Sequence, residues 1–568
     1  MGVSDVVVRG GRQSMAKESK HSFEMSYHHH HNTLVPISRL PDSLLTDIFI
    51  RVRDIEYSSS SSPSCLRISH VCRAWRGAAV QCALLWTNIL FRPPEWTALM
   101  LRRARTAPLT VKVSIYDLDI ANDAFLKSLR LALSHIRHIR YLSISLSVTF
   151  YYQLGDLLSP LKSDSPDILE ELRLSCTPRC PSHFNPPFKI APKLRRSELI
   201  RCFTDWKLFY SVGDLTFLAI QDIHVSSRPS IENILSVLQS MNKLETLVLT
   251  HALPELPKRV RTLPPPQDIV PVRLEHLLHF SLSGFVLDCA NLMRYVVMPR
   301  CRHIRLETEA RWPLREIALA VYPLSNIISS IFNESDEQEI HYDGIIQQID
   351  DNEIEIIFLP ALDPVVDAGY DVYASLIWSP SHGGTIMDTS PGFGSLLSAL
   401  PLGLISGFRA TLSSKEEEHI DSTEWLRVVR CLSHVKRVEL SGGHTYGFIN
   451  AFHEAHASLL LPSNGPDAAI LPDLTSLTIE HAHFSFPLGD NQLFSTLTRS
   501  LTWRQQLQLP VPKIVLQSCH ITPRQLATLN SFLTPKFVEC TGEPETRGVG
   551  ELDDESSDGD NSRDGDED

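Results

Sequence analysis

At 568 residues, with 43% hydrophobic and 21% charged side chains, the chain is too long for one compact domain and has the balance of a globular protein. The formal net charge is −13, and Glu551–Asp568 supplies −9 of it (ten acidic residues and one arginine), so the remainder sits near −4 and offers no global basic excess for nonspecific nucleic-acid binding. Eleven scattered cysteines, an odd number, form no disulfide framework and point to a reducing cytoplasmic or nuclear setting rather than secretion.

Residues 1–35 are polar and include His28–His31, and they read as a disordered segment with at most weak metal affinity. No apolar run there fits a signal peptide, and Val6 stands where a myristoylation signal needs Ser or Thr. The most apolar later stretch, 396–408, is too short and too proline-broken to span a bilayer. The expectation is therefore no membrane partner.

Residues 36–90 carry the densest pattern. Pro41 suits the first turn of a helix, where its missing N–H costs nothing. Leu44, Leu45, Ile48, Phe49 and Val52 then recur at the spacing of one helical face, and the helix is expected to stop near Arg53. The loop SSSSSPS, residues 58–64, favours local side-chain hydrogen bonds over helix. The pattern restarts with Ile68, Val71, Cys72, Trp75 and Ala79, and Leu84, Leu85 and Trp86 close it. Each helix is too short to stand alone, so they pack on each other or on something else.

The order LPxxLLxxIF, loop, ISHVCRxWRxxA, LLW resembles the F-box, in the style of the large F-box families of mushroom-forming fungi. The matching residues are Leu40, Pro41, Leu44, Ile48, Phe49, Ile68, Val71, Cys72, Trp75, Leu85 and Trp86. The resemblance covers about a tenth of the chain. It implies a three-helix unit that docks on a Skp-type adaptor and through it on a cullin. Leu40, Pro41, Leu44, Ile48, Phe49, Ile68, Val71, Cys72 and Trp75 would then supply the adaptor contact. Asp42-Ser43 departs slightly from the acidic residue usual after Leu-Pro, and the Ser-rich loop is longer than usual. The other reading of the block is an ordinary helical hairpin inside a larger core.

From 91 to 545 one phrase recurs, apolar-x-x-apolar-x-apolar. Its copies are Ile139/Leu142/Ile144, Leu169/Leu172/Leu174, Leu215/Leu218/Ile220, Leu244/Leu247/Leu249, Leu277/Phe280/Leu282, Cys301/Ile304/Leu306, Val435/Val438/Leu440, Leu474/Leu477/Ile479 and Val511/Ile514/Leu516. The last two residues of each fall on one face of a strand. Helix-like stretches such as 231–241 and 425–432 lie between copies. Strand, helix, strand is the scheme of a leucine-rich repeat, in which each unit buries its neighbour. The spacing is irregular, and the Asn or Cys usual after the strand is mostly absent; a non-repeating α/β domain is the other possibility. Residues 253–271 are proline-rich and read as an extended loop, and 333–355 read in part as an acidic inserted loop. The series breaks between 307 and 434, although EIEIIFLP and YDVYASLIW look like strands. Residues 546–568 read as a disordered acidic tail. The fold class expected is α+β: an N-terminal three-helix F-box-like unit followed by an irregular α/β leucine-rich-repeat-like solenoid.

No motif argues for an enzyme or a cofactor. His453-Glu454-Ala455-His456 is one residue short of the HExxH that places two histidines one turn apart. Cys176, Cys180 and His183 lack a fourth zinc ligand nearby, and His481 and His483 lack a paired acid or cysteine. Gly392-Phe393-Gly394 lacks the third glycine of a dinucleotide loop. The expectation is a protein-binding adaptor: the F-box-like block holds the adaptor and the repeat region holds an unidentified target. A ligase-independent scaffold, with the helical block capping the first repeat, is the alternative.

Overall fold

A computed structural model describes residues 36–310 and 342–541, with breaks chiefly at 56–63, 116–122, 148–164, 178–190, 361–372, 381–396, 412–420, 460–469, 485–491 and 533–537. The expectations for residues 1–35, for His28–His31, for most of the Ser-rich loop, for Cys180, His183 and Gly392–Gly394, and for the acidic tail lie outside the described residues. The chain is mixed α/β, with helices at the N-terminal end followed by largely parallel sheet, and it divides into two compact units.

The first unit begins with α1 (Asp42–Ile55), α2 (Ser64–Ser69), α3 (Arg73–Gln81) and a 3-10 turn, Ala83–Trp86. A short strand β1 (Asn88–Ile89) and α4 (Pro94–Ala104) follow. The parallel strands are β2 (Leu109–Ile115), β3 (Ile139–Ser147), β4 (Glu171–Thr177), β5 (Arg196–Ile200), β6 (Phe217–Gln221), β7 (Thr246–Thr250) and, after the two-residue β8 (Val272–Arg273), β9 (His279–Phe285). Each of β1 to β7 pairs in parallel with the next, and β7 pairs with β9. β8 pairs instead with β10 (Val296–Val297). α5 (Asp123–Leu133) and α6 (Ile231–Ser240) join consecutive strands. In this unit the proline-rich stretch forms no helix or strand among its described residues before Val272, and Arg228 anchors it by donating to Leu253 O (3.3 Å) and pairing with Glu255 (2.9 Å).

The second unit contains β11 (His303–Ala310), β12 (Tyr342–Asp350), β13 (Glu353–Pro360), β14 (Tyr373–Pro380) and β15 (Ile405–Thr411). β16 (Arg437–Ser441), β17 (Ser476–Glu480), β18 (Lys513–Gln517) and β19 (Val538–Thr541) complete it. From β15 to β19 each strand pairs in parallel with the next, and β11 is parallel to β14. β12–β13 and β13–β14 are antiparallel. Part of the interval read as an acidic insertion, 333–355, is thus strand: the alternation in Glu353-Ile354-Glu355-Ile356 has the two-residue period of a hairpin arm. The helices are α7 (Ser422–Cys431), α8 (His444–Leu459), α9 (Gln492–Gln506) and α10 (Pro523–Phe532).

The recurring phrase decides where the core sits. All nine copies fall at strands; in eight all three residues are buried, and in the ninth Val511 is half-buried while Ile514 and Leu516 are buried. In the strands buried residues alternate with exposed or half-buried ones, so one row of side chains faces outward and the other packs inward. The first apolar residue closes a turn: Leu169 N–H donates to Pro166 O, Leu244 to Met241 O, Leu277 to Leu274 O and Leu474 to Leu471 O. A second regularity lies at the strand exits, where Arg201, Asp222, His251, Gly442, His481 and Ser518 each follow a last strand residue and each has positive φ. The left-handed residue turns the chain out of the sheet, and its N–H is not lost. Arg201 donates to Gln221 O, Asp222 to Thr250 O, His251 to Ser283 O and His481 to Gln517 O, at 2.7 to 3.0 Å. Arg201, Asp222, His251 and His481 carry side chains, so these exits store strain that the hydrogen bond offsets.

The helix layer of the second unit centres on aromatic rings and one buried cation. Phe408, Trp425, Phe448 and Phe452 follow one another with centroids 5.6 to 6.3 Å apart. Arg504 is fully buried and pairs with no carboxylate among the described residues. It donates from Nε to Pro510 O (2.9 Å) and from its terminal nitrogens to Ile470 O (3.1 Å), Leu471 O (2.9 Å) and His456 Nε2 (3.3 Å). His456 Nδ1 lies 2.6 Å from Phe452 O, so the ring is neutral, donating through Nδ1 and accepting through Nε2. Burial lowers its pKa from 6.5 to about 4 against the upward pull of the Phe452 carbonyl, and Arg504 and His453 add smaller downward pushes. Arg504 itself is lowered to about 10 by burial.

Two outcomes follow. Between pH 6.5 and 4 the unfolded chain binds a proton at His456 that the folded chain refuses, so the contribution is complete above 6.5 and is lost as pH falls to 4. Denaturant titrations should show about 3 kcal/mol less stability at the acid end of this window, and His456→Gln should flatten the loss. At the exit of β18, Ser518→Val should cost about 1–2 kcal/mol in the same measurement, while Ser518→Gly should not.

Candidate functional site

The three N-terminal helices form one packed unit. Phe49 of α1 is buried against Trp75 of α3 with ring centroids 5.0 Å apart, and Leu45, one turn earlier, is buried beside it. Cys65 and Ile68 bury α2. Cys72 is the N-cap of α3: its Sγ accepts from Trp75 N–H at 3.5 Å, and Arg76 Nε donates back to Ser69 O at 2.9 Å. Trp86 is completely buried, and its Nε1–H donates to Ala79 O at 2.8 Å.

The α1 pattern that reads as one apolar stripe is two. Leu45 and Phe49 point inward, while Leu44 (49% exposed), Ile48 (37%) and Ile55 lie on the solvent side. Val71, at the turn before α3, is 59% exposed. The nine expected contact residues therefore separate. Pro41, Leu44, Ile48 and Val71 are exposed, Leu40, Cys72 and Trp75 are half-buried, and Phe49 and Ile68 lie in the unit's own core. Ile37, Ile55 and Leu84 are further exposed apolar residues that sequence reasoning did not single out. Ile37 precedes the Leu-Pro start, Ile55 lies past the expected stop at Arg53, and Leu84 was read only as part of the closing Leu-Trp phrase. Leaving several large apolar side chains in water on one small unit costs solubility unless a partner covers them.

The unit is tied to the sheet that follows. Arg53, in the last turn of α1, donates to Leu84 O and to Thr87 Oγ1 (3.1 Å). Thr110 N–H of β2 donates to Thr87 O (2.9 Å), and β1 pairs with β2. Trp86 meets Trp96 of α4 edge-on at 6.2 Å, and the Arg103 guanidinium lies 4.2 Å over its ring. Burial pushes Arg103 below its ordinary pKa, and nearby Arg102 adds to this.

The other candidates do not assemble. His453 stacks on Trp503 at 4.3 Å and contacts Ser500 Oγ at 3.3 Å, while His456 is taken by Arg504, so the two histidines serve different packing contacts. Ser500 Oγ donates to Thr496 O, which leaves its proton committed to the helix. His483 stacks flat on His520 at 4.1 Å. Cys176 is buried in β4. Among the described residues no group of three His, Cys, Asp or Glu side chains is placed to hold a metal ion, and no helix is long and apolar enough to cross a membrane.

Comparison with known proteins agrees with this geometry at one end of the chain. No curated protein matches. The crystal structure of a TLR13–ssRNA13 complex aligns over 68% of this chain and 46% of that one, at 12% identity and a TM-score of 0.28, so the chain spans about half of that protein's length. A likeness at that score carries no argument. The F-box-like family model matches residues 37–92, which are α1, α2, α3, the Trp86 turn and β1. The chain carries an F-box-like domain at residues 37–92.

Proposed function

We propose that this protein is the substrate-recognition adaptor of a Skp–cullin–F-box ubiquitin ligase. The observation that carries the reading is the outward stripe of the F-box-like unit, Pro41, Leu44, Ile48 and Val71, exposed on a unit whose inward stripe is already packed. F-box domains generally bind Skp-type adaptors, and these residues supply the apolar contact. Half-buried Trp75 positions that face from beneath, through Phe49. We read the parallel strands of both units as degenerate leucine-rich repeats that hold a target protein, on the support of strands in register and the repeated left-handed exits. The role is then positional: the ligase's conjugating enzyme does the chemistry, and this chain raises the local concentration of target lysines. It needs no catalytic residue or cofactor of its own and works in the cytoplasm or nucleus.

The competing reading, a scaffold whose helical block only caps the first repeat, is not separated from this one by deleting residues 1–92. That deletion removes β1 and Trp86 and should destabilise the first unit under either reading. Surface substitutions separate them. Leu44→Asp with Val71→Asp should abolish co-purification of a Skp-type adaptor with the thermal midpoint unchanged, and Leu40→Ala with Pro41→Ala should weaken it. Adaptor retention by the Asp pair would sink the ligase reading. Trp86→Ala should instead lose stability, by about 3–5 kcal/mol, in a denaturant titration of the adaptor-free protein.

A further inference from the structure

The near-neutral average of the chain's body conceals a division. Residues 36–301 hold 32 Lys and Arg against 23 Asp and Glu, a net of +9, whereas residues 302–568 hold 17 against 40, a net of −23. Part of the basic surplus gathers on the open face of the first unit's sheet. The register aligns Tyr141, Glu171, Arg196 and Phe217 in one row across β3 to β6. Lys112, Ser143, Arg173 and Glu198 form the next row across β2 to β5. Lys112, Arg173 and Arg196 are all exposed. Arg173 pairs with Glu198 at 3.3 Å, and the other two cations lie over rings, Lys112 4.8 Å from Tyr141 and Arg196 3.5 Å from Phe217. Lys193 and Arg195, in the turn entering β5, are exposed as well. Burial holds Lys112 below its ordinary pKa against the upward pull of Glu171, and Arg173 adds a smaller downward push.

We propose that this face, around Lys112, Arg173 and Arg196, is a docking surface for an acidic, extended polypeptide segment of a partner protein. The proposal deepens the target-binding role given above to the repeat region, and rests on it. The chemistry favours carboxylates at intervals over a phosphate backbone. Glu171 and Glu198 sit among the cations and would repel a ligand charged at every unit. The two rings that would stack bases are covered by Lys112 and Arg196. Lys112 and Arg173 stand two strands apart, about 10 Å, which matches one three-residue turn, about 9 Å, of an extended polyproline II chain, whose every third side chain shares a face. Acidic side chains at that interval meet successive cations, and an arginine fork receives a carboxylate through two parallel hydrogen bonds.

The test is fluorescence anisotropy of a labelled oligoglutamate peptide, in which two uncharged residues separate successive glutamates, with the full-length protein, beside a single-stranded RNA of matched length. The expected result is oligoglutamate binding that weakens with added salt. It should fall on the order of tenfold or more in Arg173→Gln with Arg196→Gln. Lys193→Glu with Arg195→Glu, outside the ion pairs, should weaken it too with the thermal midpoint kept. Unchanged binding in both pairs, or RNA binding without oligoglutamate binding, would overturn the proposal. Adaptor retention is read on the same preparations. Its absence, together with charge-dependent oligoglutamate binding, would overturn the ligase reading and uphold the acidic-segment surface.

Discussion

The buried indole of Trp86 is the contact on which the N-terminal half depends. It closes the helical unit by donating to Ala79 O, and it faces Trp96 and Arg103 of α4, which belongs to the sheet side. One residue further on, Thr87 accepts from Thr110 and begins the β1–β2 ladder. Helices and sheet therefore share one core at this point. A fully buried Trp removes more apolar surface from water than any other single side chain in the unit, so the junction is strong where it is short. Capping a sheet and presenting a docking face are not alternatives for such a unit. Trp86 and Thr87 do the first, and the outward stripe is exposed for the second.

The sheets obey a different constraint. Each strand must bury two residues, leave the sheet within one residue, and still satisfy its backbone. At Arg201, Asp222, His251, Gly442 and His481 the left-handed residue meets all three requirements, because its N–H reaches a carbonyl at or near the end of the next strand. The cost is strain at Arg201, Asp222, His251 and His481, and it is met by neighbouring strands rather than locally. The second unit applies the same economy to its helix layer. Arg504 gathers three carbonyls and a neutral imidazole instead of a carboxylate, which ties the turns before β17 and β18 to α8 and α9.

What was legible in the sequence was periodicity. The F-box-like start, the Cys72–Trp75 cap region and nine strand phrases could be read because apolar residues recur there without interruption. What was not legible were exceptions to that rule. β5 escaped because Ser197 takes the place of the second apolar residue, buried and without a hydrogen-bond partner. β15 escaped because Gly407 and Ala410 are small, although Phe408 between them is a core ring. The strand exits were invisible because only one of six is glycine, and no side chain announces a positive φ there. On α1, a single helical face was read where there are two, since spacing alone does not say which of two adjacent apolar stripes meets the core. That is why Phe49 and Ile68 stood beside Leu44 and Val71 as contact residues. The charge division between the halves was hidden by averaging.

The central claim is that the outward stripe of the F-box-like unit is covered by an adaptor while the inward stripe and the sheets stay as they are. Hydrogen exchange of the full-length protein with and without a purified Skp-type adaptor tests it most directly. The account predicts added protection within 37–55 and 69–77, and none in β2 to β7. Protection confined to the sheets, or no change in the helical unit at saturating adaptor, would contradict it.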